Sequence, residues 1–141
     1  TEIPKNIDVV ITNAYPLDTE MFQIVKALWM MREVPKRNGV IVLLAACSEG
    51  RGYHALYQMG GRLWIPPEKS WLKRDYTRAE SSKKRLLIVS PNLNRKDISQ
   101  IFPEEDTELF RSWEEASEEI KRQCGEKINV TIFPCAPIQV E

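Results

Sequence analysis

An amide and an ammonium, Gln23 and Lys26, stand three residues apart just after the loop Asn13-Ala14-Tyr15-Pro16-Leu17-Asp18. On a helix, positions three apart differ by about 60° in azimuth, so the two side chains share a face. Such a pair suits a carboxylate with a neighbouring hydroxyl, and a helix start adds partial positive charge. The same spacing equally describes a solvated lysine beside a surface amide, the usual situation of helical lysines. A second run, Cys47-Ser48-Glu49-Gly50-Arg51-Gly52, places two glycines one residue apart. Glycine lets backbone approach an anion, yet the run is neither Gly-x-Gly-x-x-Gly nor a Walker loop, and a tight strand-to-helix turn accounts for it as well. Cys47 reads as a nucleophile or as inert packing. His54 is the only histidine and has no evident acid–base partner.

These residues need elements to hold them. Residues 7–11 read as a buried strand, and Met21, Phe22, Val25, Leu28 and Trp29 recur at helical spacing. Asp18 or Thr19 is the expected cap of that helix, Pro35 weakens it, and Asn38-Gly39 ends it. A second strand spans 40–45, helices are expected over 53–59 and 71–79, and a third strand spans 85–89. A loop and short helix follow over 92–102. Thr107 is the expected cap of a helix over 108–124, closed by Gly125, and a fourth strand covers 129–133. Strands alternating with helices imply βαβ units. The expected fold is α/β, a Rossmann-like three-layer sandwich with a mainly parallel sheet of about four or five strands. Function then collects at the C-terminal strand edge, at residues 12–18, 46–52, 90–94 and 134–137.

With 141 residues, the chain suits one domain over 1–141. Twenty basic residues balance 20 acidic ones, which removes the global attraction that nucleic-acid binders rely on. Residues 68–85 are net basic with Trp71 and Tyr76 interleaved, and 104–119 are strongly acidic. The two stretches read as solvated faces or as mutually attractive, and the acidic one repels a polyanion. No apolar run approaches the ~18 residues of a membrane span. Cys47, Cys124 and Cys135 form no Cys-x-x-Cys, which fits a reducing cytoplasm. A zinc site built from one histidine and dispersed cysteines is not expected.

Taken in order, these motifs resemble the C-terminal domain of the nickel-pincer lactate racemase family. The run from Asp8 to Asp18 is similar to that domain's opening strand and its small-residue loop ending Tyr-Pro-x-Asp. Phe22-Gln23-x-x-Lys26-Ala27-Leu28 resembles the family's Tyr-Gln-x-x-Lys-Ala-Leu, and Glu49-Gly50-x-Gly52 its Glu-Gly-x-Gly loop. Trp71 lies where the family carries a tryptophan ahead of the next strand.

The resemblance implies a domain of an isomerase, a racemase or epimerase of 2-hydroxy acids, working with a nickel pincer nucleotide that takes up and returns a hydride. An N-terminal catalytic domain of the same protein would carry the cofactor lysine, the nickel ligand and the catalytic histidines. This domain would close the cleft, contribute no catalytic residue and no metal ligand, and bind no cofactor alone. Gln23, Lys26, Phe22 and Trp71 would contact the substrate, and Tyr15, Asp18, Glu49, Gly50 and Gly52 would shape its rim. Phe22 stands where the family has tyrosine, which removes a hydroxyl partner and points away from lactate itself. The chain alone is expected to be inactive: one histidine and no cofactor anchor do not supply the acid–base groups that inverting such a carbon requires. Expected partners are the N-terminal domain and a small 2-hydroxy acid, with no nucleic acid and no membrane. Two other readings remain open on the residues: a stand-alone Rossmann-like nucleotide- or anion-binding module, and a protein-interaction domain using its charged faces.

Overall fold

The computed structural model describes residues 3–28, 31, 34–53, 84–99, 101–102 and 104–139. Five strands form one sheet: β1 Ile7–Asn13, β2 Pro35–Leu44, β3 Arg85–Val89, β4 Thr107–Phe110 and β5 Val130–Phe133. Their order is β4-β3-β2-β1-β5, and every pairing is parallel. The α/β three-layer expectation is met. The helices are α1 Met21–Ile24, which continues as a 3₁₀ turn Val25–Leu28, then α2 Arg95–Ile98 and α3 Trp113–Cys124. A 3₁₀ turn, Ala136–Ile138, follows β5.

The layers follow from the direction in which the chain crosses the sheet. From β1 to β4 the strands step one way, and right-handed crossovers place the intervening helices on one face. On that face Val10, Ile41, Leu43, Leu86 and Ile88 pack with Met21, Ile24, Val25 and Leu28 of α1 and its extension, and with Ile98 of α2. From β4 the chain returns across the whole sheet to β5, so α3 lands on the opposite face. There Ala116 and Ile120 cover Val9, Val42, Leu87 and Val89. The central strands are buried on both faces, which explains their unbroken Val, Ile and Leu runs.

Four expectations are corrected. The first helix is one α-turn and one 3₁₀ turn, not a long helix, and its N-cap is Glu20, which makes no side-chain capping bond. Asp18 is unavailable as a cap because both its carbonyl and its carboxylate are engaged by the loop after β2. Residues 35–39 open β2 instead of ending a helix. Pro35 sits at the first strand position, where a missing N–H is tolerated, and Asn38 takes a left-handed φ of 65° that asparagine accommodates. Register between β1 and β2 shifts there, between Ile7 and Val9. Thr107 begins β4 rather than capping a helix; the cap is Ser112, whose hydroxyl accepts the Glu115 N–H at 3.3 Å. In sequence the charged Glu108 makes this edge strand resemble the start of the acidic helix; in the fold it pairs with Arg85 of β3.

Charge pairs staple the sheet. The Asp8 carboxylate holds the Lys36 ammonium and accepts the Asn129 N–H at 2.7 Å, joining β1, β2 and the approach to β5. Those contacts, the Lys36 bond foremost, lower its pKa. Arg85 also reaches Glu119 of α3 at 3.7 Å, so the end of the basic stretch and the acidic stretch do attract each other. No described helix is long and apolar enough to cross a membrane. All but the first residue of the helix expected over 53–59, and the whole of that expected over 71–79, with His54 and Trp71, lie outside the described residues.

Candidate functional site

A parallel sheet brings the loops after all five strands to one edge, and here the loops after β1 and β2 are closed on each other by backbone. Cys47 N–H donates to the Asp18 carbonyl at 2.6 Å and Glu49 N–H to the Thr19 carbonyl at 2.9 Å. Ala46 N–H donates to the Asp18 carboxylate at 3.1 Å. Met21 N–H, one of the free donors at the start of α1, is satisfied by the Gly50 carbonyl at 2.9 Å. Thus α1 is capped by another strand's loop. The loop after β3 joins in, because Ser90 Oγ and Asn92 Nδ2 donate to the Ala46 carbonyl at 3.2 and 2.8 Å.

Gly50 and Gly52 make this closure feasible. Both take left-handed φ, 58° and 69°. At Gly52 a Cβ would run into the Glu20 side chain, which is 5% exposed beneath it; at Gly50 a Cβ would meet nothing. Glycine at 52 therefore serves both backbone conformation and close approach, and at 50 conformation alone.

Gln23 and Lys26 are the two half-buried positions of a segment whose other residues, Met21, Phe22, Ile24, Val25, Ala27 and Leu28, are all buried. They therefore share the side of the segment turned away from the core, and 3₁₀ winding narrows the azimuth between positions three apart. The segment is pinned from below by Thr12, fully buried in β1, whose hydroxyl donates to the Ala27 carbonyl at 3.0 Å. Phe22 lies in the core on the helix face of the sheet, 9% exposed. Tyr15 is exposed at the tip of the first loop, with its N–H on the Asn13 side-chain carbonyl at 3.1 Å, and the Tyr15–Pro16 bond is cis. Asp18 is half-buried and Glu49 exposed.

Cys47 is fully buried, and burial, the largest cause, pushes its thiol up to about 11. A hydrogen bond with Ser90 opposes that rise without cancelling it, and the nearby Asp18 and Glu20 add to it by smaller amounts. It is a neutral thiol near neutral pH, so the packing alternative fits and the nucleophile does not. Among the described residues no three His, Cys, Asp or Glu side chains converge as a metal ion requires.

An ion pair at this edge escaped the sequence reading. Arg51 Nε donates to Asp97 Oδ1 at 2.7 Å, with the two side chains 24% and 10% exposed. The other Asp97 oxygen accepts the Asn94 N–H at 2.9 Å, and Asn94 Oδ1 accepts the Asp97 N–H at 3.1 Å, a capping box at α2. The Asn-x-x-Asp spacing signals the box in the sequence; nothing signals the arginine that joins it. A shallow cavity of about 300 Å³ between α2 and the β4 edge, lined by Arg95, Ile98, Ser99 and Phe102 among others, contains none of the residues singled out above.

Comparison with known proteins bears out the resemblance. Residues 1–63, which contain Gln23, Lys26 and the whole Gly50–Gly52 loop, match the family model described as the lactate racemase C-terminal domain. Among solved structures, the chain is similar to the lactate racemase apoprotein from Thermoanaerobacterium thermosaccharolyticum, with a TM-score of 0.68 at 20% identity. The match covers 98% of this chain and 36% of that one. The chain thus spans about a third of that protein's length, and the likeness establishes a shared fold. No curated protein matches the sequence.

Proposed function

We propose that the chain is the C-terminal, substrate-closing domain of a lactate racemase-like enzyme acting on 2-hydroxy acids. In this proposal the single domain docks against an N-terminal lobe that carries the reactive centre, and is inactive by itself. The observation that carries it is the coincidence of the family match over residues 1–63 with the loop closure that fixes α1. Both half-buried polar positions of α1 and its 3₁₀ extension lie within the matched residues.

Lys26 supplies a compact positive charge for the substrate carboxylate, on a stem long enough to reach over a rim. Gln23, with one donor and one acceptor group, orients the carboxylate and the neighbouring hydroxyl. Holding both ends of a small hydroxy acid fixes which face of its central carbon meets the partner lobe, the entropic part of catalysis. The nickel pincer nucleotide of the family supplies hydride chemistry when bound. Among the described residues no three His, Cys, Asp or Glu side chains come together as ligands for a metal ion. In this proposal the cofactor sits in the partner lobe. Trp71 as an enclosing residue and a cytoplasmic location belong to the same proposal.

The test is racemisation by the full-length protein over a panel of 2-hydroxy acids including lactate, followed by polarimetry or circular dichroism. Lys26→Ala should raise KM about 10- to 100-fold, the weight of one hydrogen bond to a charged group. Lys96→Ala, on the exposed side of α2, should change nothing. Unchanged KM and turnover in Lys26→Ala would falsify the assignment of Lys26, and no turnover of any panel member would remove the substrate class.

A further inference from the structure

We propose that Arg51 and Asp97 are positioning residues for the substrate rim: their ion pair seats the loop that caps α1 and so sets where Gln23 and Lys26 stand. The inference rests on the functional reading above and names the part of the fold that tunes it.

Arg51 lies between the two glycines that meet α1. Gly50, before it, gives its carbonyl to the Met21 N–H at 2.9 Å. Gly52, after it, lies directly against the Glu20 side chain, at the N-cap of α1. A loop carrying two left-handed glycines has little stiffness of its own. Cys47 and Glu49 N–H tie the start of this loop to the Asp18 and Thr19 carbonyls, whereas Gly50 N–H to the Cys47 carbonyl at 2.8 Å and Gly52 N–H to the Glu49 carbonyl at 3.0 Å are bonds within it, so the stretch beyond Glu49 depends on a side-chain contact for its place. The Arg51 guanidinium supplies an external anchor 46 residues further along the chain.

The anchor is itself held. Asp97 is locked by the capping box with Asn94, and its neighbour Ile98 is buried in the core. With Asp97 only 10% exposed, the pair is shielded from the solvent that makes surface ion pairs nearly worthless. Asp97 uses one oxygen for the box and the other for Arg51, so neither contact can be lost without reorienting the carboxylate. The path runs from Asp97 of α2 through Arg51 to Gly50, to Met21 N–H, and to Gln23 and Lys26 within the next five residues. Changes at α2, remote from the substrate in sequence, thereby shift the substrate contacts. Displacements on the scale of an ångström are enough for large kinetic effects.

The experiment uses the full-length protein and compares Asp97→Asn, Arg51→Met, Arg51→Lys, Lys26→Ala and the double variant Lys26→Ala/Asp97→Asn. Asparagine at 97 retains an acceptor for the capping box while removing the charge, so it is the variant expected to fold; Arg51→Met is the independent check. Amide hydrogen exchange is read at Met21 and Glu49, with Leu87 and Ile88 of β3 as internal controls. KM and kcat are read with lactate and malate as probes. Asp97→Asn and Arg51→Met should each speed exchange at Met21 about tenfold with the β3 amides unmoved. Each should raise KM about tenfold with kcat much less affected, and Arg51→Lys should recover part of that loss. In the Lys26→Ala background, Asp97→Asn should add no further rise in KM.

Unchanged exchange at Met21, or exchange accelerated equally in β3, overturns the anchoring. Exchange that rises while KM stays put, or a full additional KM penalty in the double variant, overturns the link to substrate. Should Lys26→Ala alone leave KM unchanged, the functional reading fails instead; the Met21 exchange then still decides the anchoring.

Discussion

Replacing Gly52 by alanine should cost the protein distinctly more stability than the same change at Gly50, and the difference can be worked from the structure. Both glycines have left-handed φ, at 69° and 58°. A non-glycine residue pays about 1–2 kcal/mol there. The loss of unfolded-chain freedom returns about 0.4–1 kcal/mol, leaving a net cost of about 1 kcal/mol at either site. At Gly50 nothing else is touched. At Gly52 the new methyl group overlaps Glu20, a residue 5% exposed and therefore with little room to withdraw. Overpacking of that kind adds about 1–3 kcal/mol. The expectation is thus about 1 kcal/mol for Gly50→Ala and about 2–4 kcal/mol for Gly52→Ala, or melting points lower by about 3 °C and about 6–12 °C. Urea denaturation followed by far-ultraviolet circular dichroism measures both, with equal m-values as the check that only the folded state has changed. Losses equal within about 0.5 kcal/mol, or a larger loss at Gly50, would refute the close packing of the loop against the start of α1.

Four further outcomes are expected. Cys47 should resist iodoacetamide at pH 8 in the native protein and react on unfolding, read by mass spectrometry; rapid native labelling contradicts its burial. Because its folded pKa lies above the ordinary 9.0, at about 11, the unfolded chain ionises first. Stability should therefore fall as pH rises above about 9, and Cys47→Ala should lack that part of the decline. Glu119, held by Arg122 first and Gln123 second, has its carboxyl lowered to about 2. Its contribution is complete above 4.5 and is lost as pH falls toward 2, so Glu119→Gln should flatten the acid limb of the stability profile over that window. Ser112→Ala should cost about 1 kcal/mol by leaving the Glu115 N–H without its acceptor, measured as a shift in the urea midpoint.

How far the sequence discloses this molecule depends on where each residue spends its bonds. β3 is legible to the residue, because Arg85–Val89 is a buried apolar run bounded by polar segments on both sides. The cap of α1 is not. Asp18 has the right type and place, but its oxygens are drawn to Ala46 and Cys47, and Gly50 from another strand's loop takes over the capping. That exchange is tertiary, and local propensity carries no trace of it. β4 is hidden for a related reason, since one of its four residues, Glu108, is bonded across the sheet to Arg85 and looks, in sequence, like part of the charged helix that follows. At the candidate site, the spacing of Gln23 and Lys26 suits a solvated lysine as well, and it is the resemblance that singles them out; in the fold they are the two half-buried positions of a segment whose other residues are buried. Phe22 shows the opposite. Adjacent to Gln23 in the motif, it is on the core side of the same turn. Arg51 reads as one charge between two glycines until the fold sets Asp97 beside it.

The most direct test of the central claim is a crystal structure of the full-length protein with a turned-over 2-hydroxy acid bound. The ligand carboxylate is expected within about 3 Å of Lys26 Nζ and the Gln23 amide within hydrogen-bond distance of the same ligand, at the rim formed by the loops after β1 and β2. A ligand seated away from both side chains, for instance in the cavity between α2 and the β4 edge, would contradict it.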